Sequence, residues 1–416
     1  MFILGGIKMK KLVLTLPFLF LANLALASGF ALYEFSARGN AMGGAVLAGD
    51  AEPASLALNP ALITELPGKQ IQAGITVVTA SGGEVYGGVY DGNSKRQLWP
   101  LPSIYYTQQI AERWWLGLGA MARFGLSNDY TSEEWMLPNP KGVNLYHVGV
   151  TTYSIQPTVA FKATDKLSVS LGVEAQYLNF TEKLRFATGN GLDLDGDSVA
   201  ISGILGLFYK ANEKVNFGAS FRYRSDHSVR GPAKYDFEAA GFKNGGDFWG
   251  DISFPGQLGI GFSYKPIEKL LIEFNWTNVF WSCFKAVNIY MDNLPGSGSS
   301  GLMGSTQENT KHYQDAYRIG VGAEYTLNDV VKLRGSFIYD KSPLNRDFMD
   351  VMLPVDDRYI FGTGVGLNLS KNTILDLSYS LLLAPSLDGT AADHTTPVHY
   401  KSATSHLFGL SIRYKF

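Results

Sequence analysis

The sequence predicts an all-β protein, a 14-stranded antiparallel transmembrane β-barrel with an N-terminal plug. Three observations predict it: the composition, the period-two alternation of apolar and polar residues, and the lengths of the connections. Glycine accounts for 46 of 416 residues and aromatic residues for 13%, whereas charged residues amount to 17%, below the ~25% of soluble globular chains. Beyond residue 27 no apolar run reaches the ~18 residues of a membrane-spanning helix. This composition favours strands.

Charge and cysteine content exclude other classes of protein. Lys and Arg number 35 against 37 Asp and Glu, which gives a formal net charge of −2. Nucleic-acid binding would require a basic excess. Cys283 is the single cysteine, so an intramolecular disulfide framework is excluded.

The N-terminus predicts export. Three lysines between positions 8 and 11 precede an apolar run over 12–26, and Ala25 and Ala27 form an A-x-A cleavage pattern. A positive region, a short apolar region and a small-residue site are typical of a secretory signal peptide. We therefore predict residues 1–27 as a signal peptide. The alternative, an uncleaved anchor helix, is disfavoured because the apolar run is short.

Apolar and polar residues alternate in many segments after residue 70. Clear examples are 167–177, 215–224, 270–277 and 374–381, each with apolar side chains on one face and polar side chains on the other. One such segment is also typical of a soluble antiparallel sheet. Many of them, with aromatic residues near their ends, are typical of transmembrane strands. The last strand alternates up to a terminal aromatic, Phe416.

The connection lengths predict which membrane the protein spans. Short links at 111–112, 163–165, 212–213, 265–268, 328–329 and 370–372 alternate with long segments. Outer-membrane barrels have tight periplasmic turns and long extracellular loops. We therefore predict the outer membrane of a Gram-negative cell, with both termini periplasmic. The fourteen predicted strands are 70–80, 101–110, 113–124, 145–162, 166–181, 198–211, 214–225, 251–264, 269–281, 312–327, 330–340, 357–369, 373–384 and 404–416.

Residues 28–69 do not fit the barrel. They are rich in small residues, and Pro53 and Pro60 exclude a central strand. Fourteen strands enclose more space than the wall side chains alone can fill. We therefore predict a hatch over 28–69 and a barrel over 70–416. A flexible periplasmic tail is the alternative, against which Leu56, Leu62 and Ile63 argue because an apolar tail is poorly solvated.

Several segments resemble one family in order along the chain. Residues 29–36 and the stretch Asn59-Pro60-Ala61, with the three residues after it, resemble the N-terminal hatch of the FadL-type transporters of long-chain fatty acids and other hydrophobic compounds. Segments 223–225, 276–277 with 281–282, 315–319, 342–343 and 354–358 resemble later parts of that family. The resemblance implies a monomeric barrel closed by its hatch. Hydrophobic molecules would be captured outside, in contact with lipid and lipopolysaccharide, and released sideways into the membrane.

The resemblance also implies binding residues. Phe30 matches a family phenylalanine at the interior ligand site, and Arg185 resembles an arginine that faces the bound carboxylate. The family's second cation is a lysine, for which this chain has Gln314 at the closest position and Lys311 nearby. Independently of the family, Trp135, Met136 and Leu137 form an apolar cluster in a predicted extracellular loop, which suggests a capture site.

The charged residues on the polar strand faces and the aspartates of one predicted loop indicate structural roles rather than catalysis. Charges on the polar strand faces are expected to form a salt-bridged network around the hatch, because buried charge is tolerated only when paired. Asp193, Asp195 and Asp197 lack the spacing of a calcium loop and predict an acidic extracellular loop. The charges of the expected network are Glu174, Arg222, Arg224, Glu273, Arg318, Glu324, Arg334 and Asp376.

Catalysis and metal binding are not predicted. The six histidines show no metal-binding spacing, and the adjacent Asp226 and His227 are a weak hint of an acid–histidine pair at the outer rim. We predict no enzyme activity, no metal and no cofactor. Two alternatives stay open for function: uptake of neutral aromatic hydrocarbons on the same scaffold, and a water-filled general porin, which would lack the N-terminal plug.

Overall fold

The structure, a computed structural model, describes most of the chain after the predicted signal peptide. The described residues are 29–80, 84–87, 90–93, 95, 97–130, 143–186, 191–235, 246–291, 306–349, 356–391, 394–395 and 397–416. The predicted signal peptide, residues 1–27, lies outside them. Among the described helices, none is both long and apolar enough to cross a membrane.

Within the described residues, fourteen antiparallel strands form a closed barrel. Closure is direct, because β1 pairs with β14 on one side and with β2 on the other. The strands are β1 (Lys69–Ala80), β2 (Gln97–Ala111), β3 (Trp114–Met121 and Gly125–Asp129), β4 (Val143–Lys162), β5 (Leu167–Phe186), β6 (Gly191–Lys210), β7 (Val215–Arg222 and Ser225–Tyr235), β8 (Gly246–Phe254 and Gln257–Ile267), β9 (Leu270–Val279 and Ala286–Met291), β10 (Thr306–Thr310 and Ala316–Thr326), β11 (Val331–Asp340), β12 (Arg358–Asn368), β13 (Thr373–Ala384) and β14 (Ala403–Lys415).

The predicted strand number is confirmed. The predicted alternation of short and long connections is wrong between β5 and β6, because β5 ends at Phe186 and β6 begins at Gly191, where a long segment over 182–197 was expected. The predicted outer boundaries are wrong, because several strands run farther outward than the alternation suggested. The three aspartates predicted in an acidic loop lie on β6, where Leu192 and Leu194 are buried and Asp195 and Asp197 are exposed. Antiparallel pairing satisfies backbone groups in water as well as in lipid, so a strand does not have to end where the membrane ends.

Two segments predicted as loops contribute a separate small sheet. Within the described residues it has four strands, and pairing joins segment 81–100 to segment 385–403. These strands are Glu84–Gly87, Tyr90–Asn93, Leu387–Thr390 and Pro397–Tyr400.

The outer surface of the barrel is apolar and carries aromatic residues on neighbouring strands. Val199 and Ile201 on β6 are each 65% exposed. Tyr317, Tyr339 and Tyr359 follow one another across β10, β11 and β12, with ring centroids 6.0 and 5.7 Å apart. Such aromatic rows mark the membrane–water boundary of outer-membrane barrels.

Residues 29–68, hereafter the N-terminal segment, lie inside the barrel and are almost wholly buried. They form helix α1 (Ala37–Ala41) and two 3₁₀ helices, Pro53–Ala57 and Pro60–Glu65. Ser36 caps α1, because its Oγ accepts a hydrogen bond from Gly39 N at 2.9 Å. A proline begins each 3₁₀ helix, where its missing N–H costs nothing.

Five strands of the wall are interrupted within the part of the chain that the structure describes. The breaks fall at residues 122–124, 223–224, 255–256, 280–285 and 311–315. The break in β8 contains Pro255 and Gly256, and the break in β9 contains a single 3₁₀ turn, Trp281–Cys283. Within a regular strand every second side chain faces lipid, so a break lets consecutive large residues turn into the lumen.

Candidate functional site

Phe30 lies at the centre of a cluster of aromatic rings inside the barrel. Its side chain is fully buried. Its ring centroid lies 4.6 Å from Trp281, 5.4 Å from Phe284 and 5.5 Å from Phe254, all in edge-to-face arrangements. Such pairs add about 0.5–1.5 kcal/mol beyond the burial of their area. The aromatic box comprises Phe30, Phe124, Phe254, Trp281, Phe284 and Tyr313.

The interruptions of the wall strands build this box. Phe124 lies in the break of β3, Phe254 directly precedes the break of β8, Trp281 and Phe284 lie in that of β9, and Tyr313 lies in that of β10. The breaks bring these rings to one place although the strands are far apart in sequence. The box therefore depends on irregularities of the wall that alternation alone does not predict.

The chain on either side of Phe30 is fitted closely to its neighbours. Gly29 has a φ of +68°, and a Cβ atom there would lie 2.6 Å from Trp281 Cζ2. Only glycine meets both conditions without strain. After Phe30 the backbone pairs with β3, since Gly125 N donates to Phe30 O and Leu32 N donates to Arg123 O, both at 2.8 Å.

A gap opens in the wall next to these residues. Within the described residues, the pairing of β2 with β3 ends at Ile104 and Ala120. Farther out, and still within the described residues, no backbone pair joins residues 97–103 to Gly125–Asp129. Contact returns at the outer edge, where Lys95 N donates to Asp129 O and Gln97 Nε2 donates to Asp129 Oδ2, both at 2.7 Å. We call this opening the wall gap.

Two features of the sequence explain the wall gap. Pro100 and Pro102 stand two residues apart in β2, so one edge of the strand loses two backbone donors. Pairing with β1 continues through both prolines, so the depleted edge is the one toward β3. The outer half of β3 is also drawn inward, because four consecutive residues, 125–128, are all buried.

The N-terminal segment lies across the inner side of the wall gap. Residues 30–32 contact the break in β3 as described above. On the β2 side, Phe35 O accepts hydrogen bonds from Ser103 Oγ at 3.0 Å and Tyr105 Oη at 3.2 Å. Residues 30–35 thus connect the two edges of the gap and carry the central ring of the aromatic box.

The predicted cations lie in different surroundings. Lys311 is fully buried in the break of β10, two residues from Tyr313 of the box, and its backbone N donates to Lys285 O at 2.7 Å. The backbone of Arg185 pairs with Asn144 and Gly191 near the outer end of β5, but its side chain lies outside the described parts. Gln314 is exposed. The predicted capture cluster Trp135, Met136 and Leu137 lies outside the described residues.

The predicted hatch motif Asn59-Pro60-Ala61 anchors the N-terminal segment to the wall. Asn59 Nδ2 donates to Leu47 O at 2.7 Å and to Leu207 O of β6 at 3.0 Å. Its Oδ1 accepts from Ala61 N at 3.2 Å. One buried amide therefore caps a 3₁₀ helix, joins two parts of the segment and fixes both to a strand.

Buried charges fix residues 36–65, the inner part of the N-terminal segment. Arg38 Nε donates to Glu324 Oε2 at 2.9 Å, and Arg334 donates to the same oxygen at 2.7 Å and to Asp376 Oδ1 at 2.6 Å. Glu273 accepts from two backbone N–H groups of the segment, at 2.6 and 2.8 Å. These side chains are almost fully buried, and they link β9, β10, β11 and β13 to the segment.

A second group of buried charges lies on the opposite wall. Arg222 pairs with Glu174 and donates through Nη2 to Ala57 O at 2.8 Å. Arg123 also pairs with Glu174, at 3.1 Å. The expected network around the N-terminal segment therefore exists. The prediction that Arg224 belongs to this network is wrong, because its side chain is half exposed and pairs with Asp226 on the outer surface.

Asp226 and His227 do not form a pair. They are neighbours on one strand, so their side chains lie on opposite faces. His227 is buried, with Nε2 3.0 Å from Gln176 Oε1, whereas Asp226 is half exposed beside Arg224 and Ser253. The hint of an acid–histidine pair is therefore wrong.

Comparison with known proteins identifies the family. A family model described as "Outer membrane protein transport protein (OMPP1/FadL/TodX)" matches residues 18–416. The chain belongs to this family. The OMPP1/FadL/TodX proteins are transport channels of the outer membrane rather than enzymes, so the outer-membrane location and the absence of enzyme activity predicted from the sequence are confirmed.

Individual relatives within the OMPP1/FadL/TodX family are distant but cover nearly the whole chain. The long-chain fatty acid transport protein of Escherichia coli K12 is 21% identical over 98% of this chain and 98% of its own. The crystal structure of a Pseudomonas aeruginosa FadL homologue has a TM-score of 0.81 at 15% identity, covering 93% of this chain and 100% of that one. The toluene transporter TodX of P. putida has a TM-score of 0.75 at 19% identity, with 91% and 97% covered. At these identities the structures show the same fold.

Proposed function

We propose that this protein, acting as a monomer in contact with lipid and lipopolysaccharide, takes up long-chain fatty acids or similar hydrophobic molecules. Uptake is by diffusion through a barrel whose lumen the hatch, residues 28–69, closes. The observation that carries the proposal is the position of the aromatic box beside the wall gap, with residues 30–35 belonging to both. A binding site lined by rings and adjoining an opening toward lipid suits a hydrophobic molecule.

The proposed route has three stages. The Trp135, Met136 and Leu137 cluster captures the molecule outside. The aromatic box then receives its hydrocarbon part, while Lys311 and Arg185 offer cations to a carboxylate. Release occurs sideways through the wall gap, when residues 30–35 move away from it.

Sideways release is favoured by the chemistry of the two possible exits. Straight passage would carry the molecule through the charged network that holds the inner part of the N-terminal segment and then into water. Returning a buried CH₂ group to water costs about 0.8 kcal/mol, so a chain of twelve carbons would meet a large barrier. Passage through the wall gap keeps the chain in apolar surroundings throughout.

Blocking the wall gap tests this route. Ser127 lies on the inward-drawn half of β3, so Ser127→Trp is expected to fill the gap. Uptake of labelled laurate into cells that lack their own fatty acid transporter should fall to background, while the purified variant still folds and binds laurate. Val199→Trp is the matched control, since residue 199 is a lipid-facing position 65% exposed. Normal uptake by a folded Ser127→Trp protein would contradict sideways release at this place.

Arg185 separates the two candidate substrate classes. A carboxylate entering a low-dielectric site needs a cation, and arginine stays ionised and can hold both oxygens. For a fatty acid carrier, Arg185→Ala should weaken laurate binding by about 2–5 kcal/mol, the range for truncating one partner of a buried charge pair. Dodecanol should bind as before. Equal losses for both would make Arg185 a structural residue.

A neutral aromatic hydrocarbon is the second candidate substrate. Two observations favour it: the interior site consists of aromatic rings, and exposed Gln314 stands where the resemblance expects a lysine. In that case Arg185→Ala should leave toluene binding unchanged, and wild-type protein should prefer toluene to laurate. A general porin is disfavoured, because residues 29–68 occupy the lumen.

A further inference from the structure

Three charged residues form a row across neighbouring strands near the aromatic box. Arg318 of β10 is in register with Asp340 of β11, and Asp340 is in register with Arg358 of β12. Arg358 Nη2 donates to Asp340 Oδ2 at 2.9 Å, and Arg318 Nη1 lies 3.5 Å from the same oxygen. All three side chains are buried, Asp340 at 0% and Arg358 at 1% exposure. The strand register thus places one carboxylate between two guanidinium groups.

The row has more hydrogen-bond donors than acceptors. Within the described structure, Arg358 Nε, Arg358 Nη1 and Arg318 Nη1 are buried without a hydrogen-bond partner. Arg334, equally buried on β11, differs: it reaches Glu324 through Nε and Asp376 through Nη1. Buried donors of a charged group are normally satisfied. In the described structure Arg38, Arg123 and Arg413 also have one unpaired nitrogen each, whereas Arg358 has two and Arg318 Nη1 beside it adds a third. This concentration of unpaired donors indicates a position for an anionic acceptor.

The surrounding acidic residues do not compensate the surplus of positive charge in the row. Glu34 is the other nearby acid, but within the described residues no ion pair joins its carboxyl group to Arg318 or Arg358, and its Oε2 accepts from Tyr33 N at 2.9 Å. Asp357 is engaged on the outer side by Tyr339 Oη and Ser342 N. Lys341 lies over the outward ring of Tyr317. Two permanent cations therefore share one close carboxylate.

The row adjoins the proposed substrate route. The guanidinium carbon of Arg318 lies 4.4 Å from the centroid of the Tyr33 ring. Tyr33 follows Phe30 by three residues, and both belong to residues 30–35, the segment proposed to move away from the wall gap. Arg318 is also in register with Thr277 of β9, four residues before Trp281 of the box. The Tyr33 ring thus covers Arg318, on the same segment that carries Phe30 of the aromatic box.

We propose that Arg318 and Arg358 form a second anion subsite, in addition to the cations Lys311 and Arg185, for the carboxylate head group of a fatty acid whose chain lies in the aromatic box. The inference rests on the proposed function and assigns it an acidic substrate. A planar guanidinium can bind both carboxylate oxygens through paired hydrogen bonds. The head group reaches the subsite when Tyr33 swings off Arg318, in the same movement that uncovers the wall gap. Asp340 holds the two arginines together and competes with the incoming carboxylate.

Binding of laurate and dodecanol to the full-length protein in detergent tests the subsite. The double variant Arg358→Gln with Asp340→Asn removes one cation and one anion, so the local net charge is kept. We expect laurate affinity to fall tenfold or more, while dodecanol affinity changes less than twofold. Asp340→Asn alone removes the competing carboxylate, so laurate should bind severalfold more tightly. The matched control is Arg334→Gln with Asp376→Asn, which should leave the laurate-to-dodecanol affinity ratio unchanged.

Each contrary result has a distinct meaning. Equal changes for laurate and dodecanol, or weaker laurate binding by Asp340→Asn, would make the row a structural ion pair and overturn the subsite. If the double variant does not fold, the sign of the Asp340→Asn effect still decides. If wild-type protein binds dodecanol but not laurate, the subsite fails while hydrophobic uptake stands. If it binds neither, the proposed function fails as well.

Discussion

The inner and outer parts of the N-terminal segment are held in different ways. The inner part, residues 36–65, is fixed by ion pairs and by hydrogen bonds from side chains of the wall, such as Arg38 to Glu324. The outer part, residues 29–35, contacts the wall through aromatic packing around Phe30, two backbone hydrogen bonds to β3 and two side-chain hydrogen bonds to Phe35 O. Tyr33 adds the contact of its ring with Arg318 and a hydrogen bond from Gln257 Nε2 to its Oη at 3.3 Å, but no ion pair joins residues 29–35 to the wall in the described structure.

This difference indicates which part can move. Buried ion pairs are directional, and removing one partner leaves an uncompensated charge, so the inner part has few alternative positions. Apolar packing is not directional, and a hydrocarbon of similar size can replace a ring without leaving a polar group unsatisfied. We therefore infer that residues 36–65 act as a fixed closure and residues 29–35 as a gate.

Deleting residues 28–69 should have the largest effect. The closed ladder of strands satisfies its own backbone groups, so the barrel should still insert into membranes. The truncated protein should show large, steady conductance steps in planar bilayers, whereas the full-length protein should not. A truncated barrel that inserts but does not conduct would contradict the closure of the lumen by this segment.

Breaking the inner anchor should have the next largest effect. Glu324→Gln removes the shared partner of Arg38 and Arg334, so the free energy of unfolding in detergent should fall by about 3–5 kcal/mol, and small hydrophilic solutes should begin to leak through. Asp226→Asn is the control: its pair with Arg224 is half exposed, and such pairs contribute about 0–1 kcal/mol. Similar losses in both variants would mean that the inner part is not specially anchored.

Removing Phe30, the central ring of the gate, should weaken ligand binding. Phe30→Ala should weaken laurate and dodecanol equally, by about 2 kcal/mol each, the value of burying one large apolar side chain. Both ligands are affected because the ring contacts hydrocarbon and not the head group. Phe217→Ala is the control, since Phe217 lies on the outer surface at 43% exposure. Unchanged affinities in Phe30→Ala would place the hydrocarbon site elsewhere.

Truncating Trp135, Met136 and Leu137 together to alanine should have the smallest effect. The cluster lies far along the chain from both parts of the N-terminal segment, so conductance and stability should stay as in the wild type. Uptake at limiting laurate should fall several-fold, and at saturating laurate it should recover, because only initial capture is weakened. Uptake that is unchanged at every concentration would reduce the cluster to a lipid contact.

The candidate site was predictable only in part. Phe30 and Lys311 follow from the family resemblance, and both are buried within or beside the box. The wall rings Phe124, Phe254, Trp281 and Phe284 were missed, although Phe280-Trp281 and Phe284 break the alternation of their strand. Pro100 and Pro102 were a second visible signal, because two prolines in one strand indicate an unpaired edge.

The sequence by itself determined the barrel, its fourteen strands and the order of tight and long connections except the one between β5 and β6. These features follow from local rules: alternation has a period of two residues, and turns require particular residues at particular places. Only the tertiary structure decided the aromatic box, the wall gap and the row of Arg318, Asp340 and Arg358. Each depends on strand register and on which breaks meet across the lumen, and register joins residues that are distant in sequence, so no local pattern contains it.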